Sequence, residues 1–218
     1  MREHYVRRLQ AVHDDLLRMG SRVEHAVADA LRALDRWDTE LAQSVVAADR
    51  EIDTMRTTID EAVLQLIATQ QPVASDLRML LATIAIAAEL ERMGDYAKGI
   101  AKRVERGLRA PVLVEAPPEL HRMGTMAQNM LRTSLDAFVR LDAALARSLV
   151  AEDERVDELD DAVVATLLAQ AREDPRRLDG VYAMLDVAHA LERMADRTTN
   201  IAERVIFICT SATEELNP

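Results

Sequence analysis

The chain has 218 residues, 49% of them hydrophobic but only 3% aromatic, so a sizeable core has to be built from Leu, Ala, Val, Ile and Met. Six glycines and six prolines are too few for a turn-rich all-β fold, and unbranched aliphatic side chains lose little rotamer freedom in helices. A formal net charge of −11, with Lys and Arg interleaved among the acids, opposes direct binding to nucleic acid or to an anionic lipid surface.

The first residues, Met1 to Arg8, carry charge where an export signal would be apolar. Six helices are expected from there on, at roughly 3–34, 38–70, 75–108, 118–140, 142–173 and 176–213. Each is about 45 Å long at 1.5 Å per residue, an ordinary length for a bundle. Asp38 and Asp142 stand between apolar segments as N-caps do. In the second helix, Leu41, Val45, Ala48, Ile52, Met55, Ile59 and Leu66 form one stripe, which reads as a core face. Pro72 and Pro175 each interrupt a long helical pattern, and Pro111, Pro117 and Pro118 frame a non-helical stretch with Val112-Leu113-Val114. The longest uncharged apolar run, Met79 to Ala88, is far short of the roughly 20 residues that span a bilayer. Near the end lies the lone cysteine, Cys209, expected as a small buried hydrophobe; it excludes an intramolecular disulfide and fits a reducing compartment. These features predict a cytoplasmic all-α protein with no membrane insertion.

The chain also repeats itself. A shift of 104 lays Arg18-Met19-Gly20-Ser21 on Arg122-Met123-Gly124-Thr125, and it continues ungapped to Asp53 and Asp157 through Leu31/Leu135, Arg36/Arg140 and Asp38/Asp142. Beyond the proline turns a shift of 101 lays Glu91-Arg92-Met93-Gly94-Asp95 on Glu192-Arg193-Met194-Ala195-Asp196. The expectation is two tandem three-helix units, residues 1–110 and 111–218.

Two acidic pairs recur in each unit at a spacing of four: Asp49 with Asp53 and Glu91 with Asp95, then Asp153 with Asp157 and Glu192 with Asp196. Residues four apart share a helix face, and like charges there oppose the helix by about 0.2–0.5 kcal/mol. Asp53 stands 19 residues before Pro72 and Glu91 stands 19 after it, while Asp49 and Asp95 are each 23 away. In the second unit the distances from Pro175 are 18 and 17, then 22 and 21. An antiparallel hairpin therefore brings four carboxylates per unit to matching heights, and they converge if their faces turn toward each other. Such a group suits iron, zinc, magnesium, manganese or calcium. The alternative is a solvated acidic face paired with Arg56, Arg92 and Arg193. His189, three residues before Glu192, is either a nitrogen ligand or a partly buried structural histidine; Asn200 either reaches the second site's edge or caps and packs. No glycine-rich phosphate loop or nucleophile elbow is present, so an enzyme is not expected.

Gln71-Pro72-Val73-Ala74-Ser75-Asp76-Leu77-Arg78, Leu90 to Ala97, Leu191 to Asp196 and Thr199 to Val205 together resemble the PhoU family, bacterial accessory and regulatory proteins of phosphate transport. The resemblance covers nearly the whole chain. It implies six helices in two three-helix bundles and metal clusters held by the acidic motifs, here Asp49, Asp53, Glu91 and Asp95, then Asp153, Asp157, Glu192 and Asp196. Divalent or trivalent ions, iron or zinc foremost, are the implied cofactors. It also implies negative regulation of phosphate uptake and starvation signalling, a likeness to homodimers, and contacts with the phosphate ABC transporter's ATPase subunit and the phosphate sensor histidine kinase. The turn Asp174-Pro175-Arg176-Arg177-Leu178 departs from the Asp-Leu-Arg of the first unit. Two other readings stay open: a carboxylate-bridged metal oxidase or metal store, and a metal-free helical adaptor.

Overall fold

The computed structural model describes residues 2–110 and 112–217, with side chains from Tyr5 onward; Pro111, expected in the non-helical middle, lies outside them. The helices are α1 (Arg2–Arg36), α2 (Thr39–Gln70), α3 (Ser75–Gly107), α4 (Pro118–Arg140), α5 (Ala143–Arg147), α6 (Leu149–Glu173) and α7 (Leu178–Thr210). The predicted fifth helix is one rod interrupted at Ser148, which keeps right-handed backbone angles (φ −65°, ψ −17°) between α5 and α6. The predicted start of the sixth helix is also corrected. Pro175–Arg177 form a 3-10 turn because Asp174 accepts from Arg176 N, and α7 begins only at Leu178. Its end falls at Thr210, where Ser211 turns left-handed.

The repeat is visible in how helices stop and start. Trp37 and Leu141, 104 residues apart, both take φ 52° at the ends of α1 and α4. The next residue's N–H then closes back to the helix, Asp38 N to Ala33 O at 2.9 Å and Asp142 N to Ala137 O at 3.0 Å. These bonds satisfy carbonyls that a helix end otherwise leaves bare. The same two aspartates cap the following helices. Asp38 Oδ1 accepts from Leu41 N at 3.0 Å, and Asp142 Oδ1 accepts from Ala144 N and Leu145 N, both at 2.9 Å.

The apolar stripes of α1, α2 and α3 close one three-helix bundle, and those of α4, α5–α6 and α7 close the second. Within the α2 stripe, Val45, Ile52, Ile59 and Leu66 are buried, with Leu41 and Met55 packed against them. The halves join where α3 runs along α7 and where α1 meets α4. The α1–α4 contact is reciprocal: a methyl on Gly20 would collide with Leu135 Cδ1, and one on Gly124 with Leu31 Cδ1. Each leucine thus fills the notch its counterpart's neighbour leaves open, as a pseudo-two-fold axis demands. Among the described residues no helix is long and apolar enough to cross a membrane.

Gly20→Val is expected to destabilise the fold by about 1–3 kcal/mol through overpacking against Leu135. In chemical denaturation the Gly20→Val/Leu135→Ala double variant should lose less than the sum of the singles by at least about 0.5 kcal/mol. Strict additivity would remove the proposed contact.

Candidate functional site

In the first half α2 carries Asp49 and Asp53, and α3 carries Glu91 and Asp95. Gly94 lets the two helices approach there, since a methyl on it would stand 3.0 Å from Ile52 Cδ1 and 3.8 Å from Asp49 Oδ1. Asp49 is buried to 4% exposure, while Asp53 and Asp95 stay exposed and Glu91 is half-buried. Two cations enter the cluster. Lys98 Nζ donates to Asp49 Oδ2 at 2.5 Å and to Asp95 Oδ1 at 3.3 Å, and Arg56 Nη1 lies 3.5 Å from Glu91 Oε1. The bond to Asp49 is the main reason the Lys98 ammonium is held above its usual range. Burial pushes the Glu91 carboxyl up despite Arg56, with help from Asp95 and Asp53, so these groups share one field.

The second half repeats the frame on α6 and α7. Asp153 is 5% exposed, Asp157 is exposed, and Glu192 and Asp196 are half-buried. Burial first, then Asp196, Asp157, Glu192 and Glu154, lifts the Asp153 carboxyl from 3.8 to about 7. Asp157 and Glu192 are raised by burial and then by Asp196. One pair is thus drawn together across each hairpin, Asp49 with Asp95 through Lys98 and Asp153 with Asp196 through a shared amide donor described next.

What separates the halves is charge. Arg56 corresponds to Asp160 under the 104 shift, and Lys98 corresponds to Thr199 under the 101 shift. The second cluster thus lacks both cations of the first and gains an acid whose own carboxyl is raised by burial and by Asp161. The buried oxygens Asp153 Oδ1 and Asp160 Oδ1 have no hydrogen-bond partner among the described residues. The nearby donors are His189, with Nδ1 3.3 Å from Glu192 Oε2, the Arg197 guanidinium, with Nη2 3.8 Å from Asp196 Oδ2, and Asn217, whose Nδ2 donates to Asp153 Oδ2 at 3.0 Å and Asp196 Oδ1 at 2.9 Å.

Several side chains lie elsewhere than the sequence suggested. His189 is exposed, not partly buried, and sits beside Glu192. Asn200 donates across the α3–α7 seam to Glu89 Oε2 at 3.3 Å, where Arg197 also arrives at 3.4 Å, and so does not reach the second cluster's edge. Arg193 donates to Tyr96 Oη at 2.9 Å, Arg92 lies 4.0 Å from Glu89, and Arg56 turns to Glu91. The solvated-face pairing of Arg92 with Asp95 and Arg193 with Asp196 is therefore replaced by links along and across the seam. Cys209 is exposed, its thiol donating to Leu141 O at 3.1 Å. Of the cluster residues that sequence reasoning missed, Lys98 had a signal, standing three after Asp95 with an uncharged counterpart. Asp160 had one too, opposite Arg56 in the repeat. Asn217 had none, because it follows the last helix and has no counterpart.

Hard oxygen donors in a net-negative, partly buried place suit a hard cation. The orphaned Asp153 oxygen fits that need in the second half, whereas Lys98 and Arg56 already serve it in the first. Among the described residues no three His, Cys, Asp or Glu side chains are gathered closely enough to hold a metal ion, so the donors match in kind without forming a finished cage.

Two fused three-helix bundles, each burying an aspartate in an acidic cluster on its second and third helices, define a duplicated helical scaffold. The chain belongs to the PhoU family, whose domain matches residues 16–104 and again 120–205. It is 37% identical over 210 residues to a Clostridium acetobutylicum phosphate-specific transport system accessory protein PhoU homolog, covering 96% of this chain and 95% of that one. Against the Escherichia coli phosphate-specific transport system accessory protein PhoU the identity is 34%, covering 91% and 82%. The crystal structure of PhoU from Pseudomonas aeruginosa superposes with a TM-score of 0.90 at 35% identity, covering 95% of this chain and 100% of that one. The phosphate transport system regulatory protein PhoU from Streptococcus pneumoniae gives 0.89 at 30%, covering 97% and 99%.

An acid raised on folding binds its proton more tightly in the folded state, so its effect on stability turns unfavourable as pH climbs from about 4 through 7. In chelator-containing buffer, Asp153→Asn should therefore be more stable than the parent at pH 8, by about 2–4 kcal/mol. The gain should shrink toward zero near pH 4. Melting curves across that range check it; a gain independent of pH would mean Asp153 ionises as in the unfolded chain.

Proposed function

We propose that this chain is a cytoplasmic, non-enzymatic regulator that restrains phosphate uptake and phosphate-starvation signalling by binding the phosphate ABC transporter's ATPase subunit and the phosphate sensor histidine kinase. The observation that carries the reading is full-length likeness, in both halves, to accessory proteins of phosphate-specific transport. The units are residues 1–110 and 111–218, and the working form is a homodimer. Long helical faces of α1, α2, α4 and α6 leave room for two partners at once.

Metal ions, iron or zinc foremost and magnesium or manganese next, belong to the same proposal. Asp153, Asp157, Glu192 and Asp196 would hold a cation in the second half; Asp49, Asp53, Glu91 and Asp95 would do so in the first only against Lys98 and Arg56. A bound cation would supply the positive charge at Asp153 Oδ1 that Arg197, placed at Asp196, does not. The chain's own residues do the rest: Asp153 and Glu192 present oxygens from the two arms of the α6–α7 hairpin, and burial keeps most water from Asp153 while Glu192 stays half-buried.

Two measurements test this. In phosphate-replete cells, deletion of the gene should raise phosphate uptake and switch on starvation genes, and re-expressed protein should recover the transporter ATPase and the sensor kinase on pull-down. A deletion strain that stays fully repressed would refute the regulatory role. For the metal, saturating Mn2+ or Zn2+ at about 100 times Kd should raise the melting temperature by about 5–10 °C. Asp153→Ala with Glu192→Ala should abolish most of that rise, whereas Asp49→Ala with Glu91→Ala should leave most of it.

A further inference from the structure

The segment after α7 crosses the second acidic cluster and is fastened along its length. At Ser211 the backbone turns left-handed (φ 64°), its N–H closing on Phe207 O at 3.0 Å. The chain then runs back to α5, where Arg147 grips Glu214 with two parallel bonds, Nε to Oε2 at 2.9 Å and Nη2 to Oε1 at 2.6 Å. Two residues on, the Leu216 N–H donates to Glu203 Oε1 at 2.9 Å, and the Leu216 side chain rests on the core. Asn217 then reaches the cluster itself, between Asp153 and Asp196. Chemistry fixes the direction of that amide. Its oxygen has no hydrogen to offer two carboxylates, whereas its NH2 has one for each.

Asp153 and Asp196 are the repeat counterparts of Asp49 and Asp95, the pair that Lys98 bridges in the first half. Two unrelated nitrogens thus occupy equivalent places. One is an ammonium that belongs to the hairpin; the other is a neutral amide brought in from outside it. A neutral donor offsets less negative charge than a charged one, and the Arg197 guanidinium, 3.8 Å from Asp196, is shared with Glu89 and bonds neither oxygen of Asp153. Consistent with that, Asp153 Oδ1, in a side chain only 5% exposed, keeps no hydrogen-bond partner although its other oxygen has Asn217. A cation drawn to that oxygen and to Asp196 competes with the amide hydrogens for the same space. The amide cannot stay.

We propose that residues 211–217 are a strap that holds the second acidic cluster closed when no cation is present and lets go when a divalent cation enters. Lys98 is the built-in counter-ion that keeps the corresponding place in the first half filled. The strap rests on the cation-binding reading above and gives it an output. Release uncovers the seat of Leu216 on the core and frees Arg147 and Glu203, so occupancy of a half-buried cluster becomes a change of surface that a partner can feel. The fastening suits such release, because the Arg147–Glu214 grip is partly exposed and such pairs are individually weak.

The test uses the full chain, stripped with chelator and titrated with Mn2+ by calorimetry, with amide hydrogen exchange followed at Leu216. If the closed strap outweighs the open one by about ten to one, removing it tightens cation binding about tenfold. Asn217→Ala should show that gain. Arg147→Ala, which touches no acid of the cluster, should show a gain of the same direction. Asn217→Lys, which imitates Lys98, should bind at least tenfold more weakly. In the parent chain, saturating Mn2+ should speed Leu216 exchange about tenfold. Weaker binding by Asn217→Ala would make the amide a ligand and overturn the strap, as would parental affinity in Arg147→Ala or unchanged exchange at Leu216. If no variant takes up Mn2+ at all, the cation reading falls and the strap's trigger with it. Normal uptake with none of these differences removes the strap alone.

Discussion

A carboxylate placed between two packed helices must find a positive or hydrogen-bonding neighbour, because its isolated burial costs several kcal/mol even after relaxation. Asp49 and Asp153 are both in that position, nearly sealed at the contact between the second and third helix of their half. Around them the rest of the arrangement is explicable. Gly94 opens the gap beside Asp49, Lys98 and Arg56 answer the first cluster's charge, and the second cluster answers it with an amide from the chain's last residues. The two halves thus differ at the buried acid itself: Lys98 bonds Asp49, whereas Asp153 Oδ1 keeps no hydrogen-bond partner among the described residues and the nearest guanidinium, Arg197, turns to Asp196 and Glu89.

The third helix of each half has two duties. α3 bears Glu91 and Asp95, α7 bears Glu192 and Asp196, and the same two helices form the main seam between the halves. That seam is partly polar: Glu89 receives Arg197 and Asn200, Tyr96 receives Arg193, and Arg103 meets Asp186 at 2.6 Å. A displacement of α7 around the second cluster is therefore felt at bonds to α3, because Arg193 and Arg197 directly follow Glu192 and Asp196. Packed helices shift as bodies and do not deform continuously, so such a coupling has a physical carrier.

Much of this was legible in the sequence, and the reasons are specific. The caps at Asp38 and Asp142 were readable because a short acid before an apolar stripe has few other uses. That Asp49 faces Asp95 and Asp153 faces Asp196 followed from equal distances to Pro72 and near-equal ones to Pro175, since helical rise is constant. What failed was anything set by side-chain reach across helices. Arg193 prefers Tyr96 and Asn200 prefers Glu89, partners a hundred or so residues away that local spacing cannot reveal. His189 and Cys209 lie near apolar neighbours in the chain but face out, because their helix faces turn past the core there. Ser148 interrupts its rod without a proline or glycine to announce it.

The interlocked leucines and glycines of α1 and α4 bear on how the two ends came to differ. In an assembly of two separate identical subunits, any substitution appears on both sides of the axis, and a lysine gained at one cluster is gained at the other. Here both sides are written into one polypeptide, so Gly20 and Gly124 can preserve a shared joint while Lys98 and Thr199 part company. Covalent fusion keeps the symmetry of the joint and releases the chemistry from it.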